Sequence, residues 1–132
     1  MAKPSADKAL SNACPCGKGE YTTCCGRWHA GEPAPDPQSL MRSRYSAYVL
    51  KLEDYLLQTW HPDTRPVSLE LSEDKTQWLG LVVQHFSQSG DSGEVEFTAR
   101  YKINGRAHRL HERSAFKKAN GQWFYVSGEI SG

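Results

Sequence analysis

The chain has 132 residues, and its 16 basic and 15 acidic side chains leave a formal net charge of +1. This length accommodates one domain with a small appendage. The near balance of charge, without a long basic run, argues against nucleic acid as a partner. No stretch approaches the ~18 apolar residues of a membrane span, and the first residues lack the apolar core of a signal peptide, so we expect a cytoplasmic protein without a membrane partner.

All of the cysteines lie close together near the N-terminus. They are Cys14, Cys16, Cys24 and Cys25. Four thiols on a short segment, with glycines that permit tight turns between them, suit one tetrahedral structural Zn²⁺. Because so short a segment buries no core of its own, the metal would supply its folding free energy.

Other uses of these cysteines were weighed against zinc. A disulfide framework needs an oxidising compartment, and a bridge between Cys24 and Cys25 would be strained because adjacent Cα atoms lie about 3.8 Å apart. Thiol redox sites typically have Cys-x-x-Cys, whereas the first pair here is Cys-x-Cys. His29 is an alternative fourth ligand. We therefore favour a four-cysteine zinc site over disulfides and over free or regulatory thiols.

Composition divides the chain into four parts. Residues 1–13 are small and polar and are predicted to be disordered, and residues 14–30 form the zinc motif. Residues 31–36 carry prolines and are typical of an extended linker. Residues 37–132 form the main domain. We expect the linker to let the zinc motif unfold on metal removal while the domain stays folded.

Helical patterns follow the linker. Asp36 and Pro37 suit the N-cap and the first residue of a helix, and apolar residues at helical spacing predict this helix over 37–51. A second, shorter helix is predicted over 53–59. It ends before Pro62, because the residue preceding a proline disfavours helical backbone.

The second half of the chain changes to the two-residue period of β-strands. Gly90, Asn104-Gly105 and Asn120-Gly121 mark hairpin turns between β-rich segments. Those segments are 78–86, 94–101, 107–116 and 122–126. Helices first and an antiparallel meander afterwards predict an α+β fold, with the helices packed on one face of a curved sheet.

Two sets of motifs resemble a known family. Cys14-Pro-Cys16-Gly followed by Cys24-Cys25-Gly resembles the SEC-C zinc motif, best known from the tail of the bacterial preprotein translocase motor, where it engages a chaperone. Four later stretches resemble the YchJ-like family of small bacterial proteins. They are 40–48, 54–62, 111–116 and 121–126. The resemblance implies a nuclear-transport-factor-2-like (NTF2-like) cone, with helices closed over a bent sheet, behind the zinc motif.

The cone is where a ligand pocket would lie. Strand alternation in 107–116 places Glu112 on the face with apolar ends, so we expect its side chain to point inward. The resemblance favours the Trp123 and Tyr125 face of the last strand as the concave one. Tyr45, on the first predicted helix, is a further candidate lining residue.

Glu112 has two possible roles. A carboxylate beside aromatic rings could act as a general acid or base, with His61 as its partner in proton transfer. Alternatively, Glu112 is a structural residue paired with an arginine such as Arg44, and His61 caps the helix before it.

The zinc motif offers a second candidate functional surface. A rigid metal-bound loop loses little entropy on binding, and aromatic and arginine side chains are frequent anchors of interfaces. The candidate docking residues are Lys18, Tyr21, Arg27 and Trp28. By analogy with the SEC-C motif, the partner would be a protein related to chaperones or ribosomes. The alternative is that Trp28 packs back onto the cone.

Two functional classes therefore stay open. We favour an interaction or adaptor protein that docks through its zinc motif, because a zinc ion held by four cysteines has no free coordination position for catalysis. The alternative is a small-molecule-binding or enzymatic pocket that uses Glu112 and His61, in a hydrolase, isomerase or dehydratase. No nucleophile motif or phosphate-binding loop appears, so no catalytic residue is assigned.

Overall fold

Four long strands form a single antiparallel sheet in the computed structural model, which describes residues 12–131. The strands are β1 (Gln77–Ser89), β2 (Ser92–Ile103), β3 (Arg106–Ala119) and β4 (Gln122–Ser131). They pair in the order β1-β2-β3-β4, each with its sequence neighbour. The predicted meander is confirmed, and each strand extends beyond the predicted segment.

Asn-Gly turns join the last three strands. Asn104 and Gly105 have φ values of 52° and 78°, and Asn120 and Gly121 have 54° and 79°. Two consecutive positive φ values define a type I′ turn, whose twist matches that of the strands it connects. These two turns fix the register that places the inward side chains of β3 and β4 on one face.

Within residues 12–131, three helices precede the sheet. They are α1 (Cys25–His29), α2 (Pro37–Leu50) and α3 (Glu53–Gln58), with 3₁₀ turns at Tyr21–Thr23 and Leu71–Glu73. The predicted start of α2 is confirmed, since Ser39 N donates to Asp36 Oδ1 over 2.7 Å. The helix ends at Lys51, whose left-handed φ of 60° turns the chain into α3. No helix within residues 12–131 is long and apolar enough to cross a bilayer.

The main core lies between α2 and the concave face of the sheet. Its buried members are apolar side chains of α2, β2, β3 and β4. They include Leu40, Met41, Tyr45, Val95, Phe97, Phe116 and Trp123. A smaller cluster of Ala47, Leu56 and Leu71 anchors α3. The predicted α+β class, with helices on one face of the sheet, is confirmed.

The cysteine motif belongs to the same core as the domain. Cys14, Cys16 and Cys25 are buried in one cluster with Leu40 and Met41 of α2. A segment too short for a core of its own thus uses the surface of a neighbouring helix. The motif and the domain therefore share a core, and the independent unfolding of the motif on metal removal stays a prediction.

Only the end of the predicted disordered segment lies within the described residues. Residues 1–11 are outside them. Ala13 forms an isolated antiparallel bridge with Glu20, and Tyr21 N donates to Asn12 O over 2.6 Å. The expected disorder therefore does not extend to residues 12 and 13, because they close the base of the cysteine loop.

Candidate functional site

The four cysteine sulfurs converge at one point beside α2. All of them lie within 4.8 Å of one another, and the Cys16 and Cys24 sulfurs are 3.6 Å apart. In a tetrahedral thiolate site with Zn–S bonds of about 2.3 Å, the sulfurs are about 3.8 Å apart. The cysteines thus form a candidate metal centre with the geometry of a four-coordinate ion.

Tight backbone turns bring the first two cysteines together. Gly17 N donates to Cys14 O over 2.9 Å, and Cys14 N donates to Gly19 O over 2.8 Å. Gly17 has a φ of +85°, which side-chain-bearing residues rarely adopt. The turn leaves the Cys14 and Cys16 side chains on the same side of the loop.

The second half of the centre depends on close contact between Gly26 and Tyr21. The 3₁₀ turn at Tyr21–Thr23 leads into α1, whose first residue is Cys25. A Cβ atom on Gly26 would lie 2.6 Å from the Tyr21 carbonyl oxygen. The glycine after the Cys24-Cys25 pair is therefore required for this approach.

The cysteine thiols of the centre differ in pKa. A hydrogen bond from the Cys25 thiol lowers the pKa of Cys16 to about 4, and the same hydrogen bond raises the pKa of Cys25 above its ordinary range. Burial raises the pKa of Cys24 to about 11. Since repulsion and burial oppose further thiolates, a bound cation would be needed to ionise the whole cluster.

His29 supports the centre without belonging to it. Its Nε2 lies 2.8 Å from Ser43 O, which can only accept, so Nε2 carries the proton and Nδ1 accepts from the Tyr21 hydroxyl over 2.6 Å. Burial lowers the pKa of His29. Because both ring nitrogens are engaged, the structure does not support His29 as the fourth ligand.

Helix α2 supplies further contacts to the cysteine loop. The Ser46 hydroxyl lies 3.6 Å from the Cys14 sulfur, and Arg42 Nη1 donates to Cys16 O over 3.2 Å. Sequence analysis missed these supporting residues because they lie about 30 positions from the cysteines. Serines at 43 and 46, on a buried face of α2, were the signal that could have found them.

The candidate docking residues do not form one exposed set. Tyr21 and Trp28 are partly buried against the core cluster, as the alternative for Trp28 anticipated. Lys18 and Arg27 are exposed, and the Arg27 guanidinium lies 4.3 Å from the centre of the Trp28 ring. The exposed part of this surface is therefore cationic more than aromatic.

A cavity of about 250 Å³ lies between α2 and the concave face of the sheet. Most of its walls are aromatic or apolar. They include Met41, Tyr45, Tyr48, Trp78, Phe97 and Phe116. Its polar lining comprises Arg44, Glu112, Ser114 and the hydroxyl of Tyr125. Tyr45, Tyr125 and Glu112 thus lie where the sequence predicted, at the inside of the cone.

The Glu112 carboxylate is held on one wall of this cavity. Its Oε2 accepts from Ser114 Oγ over 2.6 Å and from Tyr125 Oη over 3.4 Å. Burial raises the pKa of Tyr125, so that hydroxyl keeps its proton and donates. A Cβ atom on Gly128 would lie 2.6 Å from Glu112 Cδ, so this glycine of β4 makes room for the carboxylate.

Arg44 is buried on the adjacent wall. Its Nη1 donates to Leu56 O over 2.8 Å and to Thr59 Oγ1 over 2.7 Å. The guanidinium lies 4.5 Å from the centre of the Tyr125 ring. The ion pairs within residues 12–131 do not include one between Arg44 and Glu112, so the expected pairing is not formed.

His61 and Trp123 are not part of the cavity lining. The His61 ring packs edge-on against Phe124, whose side chain alternates with that of Tyr125 and points away from the cone interior. His61 Nδ1 accepts from Asp63 N over 3.1 Å. The structure therefore does not bring His61 and Glu112 together, because the His61 ring packs on the other side of β4. Trp123 is a buried core residue.

Comparison with known proteins identifies the family. The sequence profile for the YchJ middle NTF2-like domain matches residues 36–128. The chain belongs to the YchJ-like family. The predicted resemblance and the NTF2-like fold are confirmed.

Relatives of this YchJ-like chain match nearly all of it. A UPF0225 protein of Bordetella parapertussis is 55% identical over 135 residues, covering 98% of this chain and 99% of the relative. A UPF0225 protein of Chromobacterium violaceum is 53% identical over 131 residues, covering 94% and 97%.

Two solved structures share the fold. The solution structure of a SEC-C motif containing protein from Rhodopseudomonas palustris has a TM-score of 0.80 and 38% identity, covering 90% of this chain and 98% of that one. The crystal structure of a SEC-C motif containing protein from Psychrobacter arcticus has a TM-score of 0.75 and 28% identity, covering 91% and 83%. The combination of cysteine motif and cone therefore recurs in these proteins.

Proposed function

We propose that this protein binds a small organic molecule in the cone cavity, and that a structural Zn²⁺ on the four cysteines holds α2 in place beside it. The observation that carries the proposal is the presence of Arg44 and Glu112 in an otherwise largely apolar cavity. Ligand pockets characteristically combine apolar walls with a few convergent polar groups.

The enclosure of a buried Arg44 and a half-buried Glu112 in this cavity argues for a ligand more than for packing. Removing a charged side chain from water is costly unless it is paired, and Arg44 is only 5% exposed without a direct ion pair to Glu112. The hydrogen bonds of Arg44 to Leu56 O and Thr59 Oγ1 use only Nη1, so the described residues leave its other donors unused. We therefore favour the pocket over the docking role that the sequence favoured.

Zinc is the metal we assign to the cysteine centre. Four thiolates in a tetrahedral arrangement are a typical structural zinc site, and both solved neighbours carry the SEC-C motif. Zn²⁺ bound there would stabilise the folded chain and leave no position for a substrate. Thiols that must stay reduced also favour the cytoplasm.

Docking of a protein partner through the zinc motif is the second candidate function. Lys18 and Arg27 are exposed on a loop that hydrogen bonds and the metal would hold rigid. By analogy with the SEC-C motif, a chaperone- or ribosome-related partner would fit. Co-purification from the native host with wild type and with the Lys18→Glu, Arg27→Glu double variant tests it, since only a partner held by these side chains is lost.

The pocket proposal is tested by filling the cavity. Ala99→Phe adds a ring to a buried lining residue of β2, whereas Arg100→Phe adds the same ring at the next, exposed position. A fragment library screened by protein-observed NMR should give hits that shift Trp78 and Tyr125 resonances. These hits should persist in Arg100→Phe and disappear in a folded Ala99→Phe; hits that survive in both would place binding elsewhere.

A further inference from the structure

We infer that the ligand of the cone cavity is a neutral molecule with a flat apolar body and a group that places a hydrogen-bond acceptor beside a donor, such as a carboxamide or lactam edge. The inference rests on the proposed binding function and names its ligand class. It follows from the charges, the hydrogen-bonding capacity and the size of the cavity.

The charges of the cavity disfavour an ionic ligand. Arg44 contributes one positive charge and Glu112 one negative charge, and within residues 12–131 they do not form a direct ion pair. A ligand carboxylate would pair with Arg44 but be repelled by Glu112. A ligand ammonium would pair with Glu112 but be repelled by Arg44. A neutral ligand is repelled by neither side chain and adds no net charge to the cavity.

The hydrogen-bonding groups of the cavity require a ligand that carries both an acceptor and a donor. A guanidinium only donates, and an ionised carboxylate only accepts. The Arg44 hydrogen bonds within residues 12–131 come from Nη1, so Nε and Nη2 remain for a ligand acceptor. Among the described residues, Ser114 and Tyr125 donate to Oε2 of Glu112, so Oε1 is the oxygen we assign to a ligand donor.

Arg44 and Glu112 both contact Tyr125, on one wall of the cavity. The Arg44 guanidinium lies over its ring, and its hydroxyl donates to Glu112. Arg44 and Glu112 therefore approach the ligand from neighbouring positions around one tyrosine. A single planar group with an acceptor and a donor side by side can contact both.

The aromatic walls and the volume of the cavity indicate the shape and size of the apolar part of the ligand. Tyr45, Tyr48 and Trp78 form an aromatic cluster on one side, with ring centroids 5.8 and 6.0 Å from that of Trp78. Such walls favour a flat ring that can pack face-on or edge-on. A cavity of 250 Å³ corresponds to the liquid volume of about eight water molecules. It therefore suits one ring with a small substituent.

Four single-ring probes test the inference on the zinc-loaded full chain. Benzamide offers an acceptor and a donor, benzoate only acceptors, benzamidinium only donors, and toluene neither. Each is titrated to about 5 mM, which toluene still reaches in water, while Trp78 and Tyr125 resonances are followed, because fragments of this size reach roughly millimolar affinity. We expect benzamide to bind about tenfold more tightly than any of the other three.

A matched pair of variants assigns the selectivity to the charged residues. Glu112→Gln keeps the shape of the side chain but removes the negative charge, so benzoate should gain about tenfold relative to benzamide. Glu129→Gln makes the same change at an exposed position and should leave all four affinities unchanged.

The outcomes separate the ligand class from the binding function. Tighter binding of benzoate or benzamidinium than of benzamide, or equal binding of toluene, would overturn the ligand class while a pocket remains. An unchanged benzoate-to-benzamide ratio in Glu112→Gln would do the same. If none of the four probes shifts the cavity resonances, both the ligand class and the proposed binding function are wrong.

Discussion

The sulfur of Cys14 lies 3.6 Å from the hydroxyl of Ser46, and this contact joins the cysteine centre to the helix that lines the cone cavity. Met41, Arg44, Tyr45 and Tyr48 of α2 line the cavity, at the i, i+3, i+4 and i+7 positions of one helix face. Ser46 lies on another face of the same helix. The metal centre and the cavity are thus two sides of one structural element.

Removal of the metal should therefore disturb more than the cysteine loop. We expect chelation to abolish amide-exchange protection in residues 14–30 and to lower it in α2, because the sulfurs are part of the α2 core. Hydrogen exchange measured with and without a chelator checks this. Loss of protection confined to residues 14–30 would instead support the independent motif expected from the linker.

Each cysteine should be needed for metal binding, and His29 should not. Single Cys→Ser variants are expected to lose stoichiometric zinc. His29→Leu should keep one zinc per chain but lose about 1–3 kcal/mol of folding stability, because leucine has no donor for the hydrogen bond to Ser43 O. Metal analysis and denaturant unfolding report the two effects. A cysteine variant with full zinc occupancy would remove that residue from the ligand set.

Gly26 should be intolerant of a side chain. Gly26→Ala places a Cβ atom 2.6 Å from Tyr21 O, so we expect weaker zinc binding and a stability loss of about 1–3 kcal/mol. Gly19→Ala is the matched control, since no atom of residues 12–131 lies within 4 Å of its Cβ position. Competition with a chromophoric chelator measures the affinities; equal values for the two variants would show that the close approach is unimportant.

Gly128 should control the position of the Glu112 carboxylate. In Gly128→Ala the new methyl group would overlap Glu112 and lie 2.9 Å from Tyr125 Oη, so the carboxylate must move and benzamide binding should weaken about tenfold. Gly80→Ala, in β1, adds a methyl group in open space. NMR titration of both variants measures the difference, and equal benzamide affinities would show that Glu112 is not positioned in this way.

Local patterns allowed the elements of the fold to be predicted from the sequence. Asp36-Pro37 predicts the start of α2, and the Asn-Gly pairs predict two hairpins, because each effect acts within a few residues. Alternation along β3 likewise predicts that Glu112 points inward. Such features need no knowledge of distant contacts.

Contacts between residues that are distant in the sequence were harder to predict. From the sequence, His61 is a candidate partner of Glu112, but the hydrogen bond from His61 N to Tyr125 O pairs its backbone with the edge of β4, and its ring packs against Phe124. The fit of the cysteine loop onto α2, through Ser43 and Ser46, also depends on tertiary packing. Neither contact leaves a local sequence signal comparable to a cap or a turn.

A crystal structure of the zinc-loaded protein with benzamide tests the central claim most directly. The account predicts benzamide in the cavity between α2 and the sheet, with its oxygen accepting from Arg44 and its nitrogen donating to Glu112. Benzamide bound only outside this cavity, or a cavity without benzamide at saturating concentration, would contradict it.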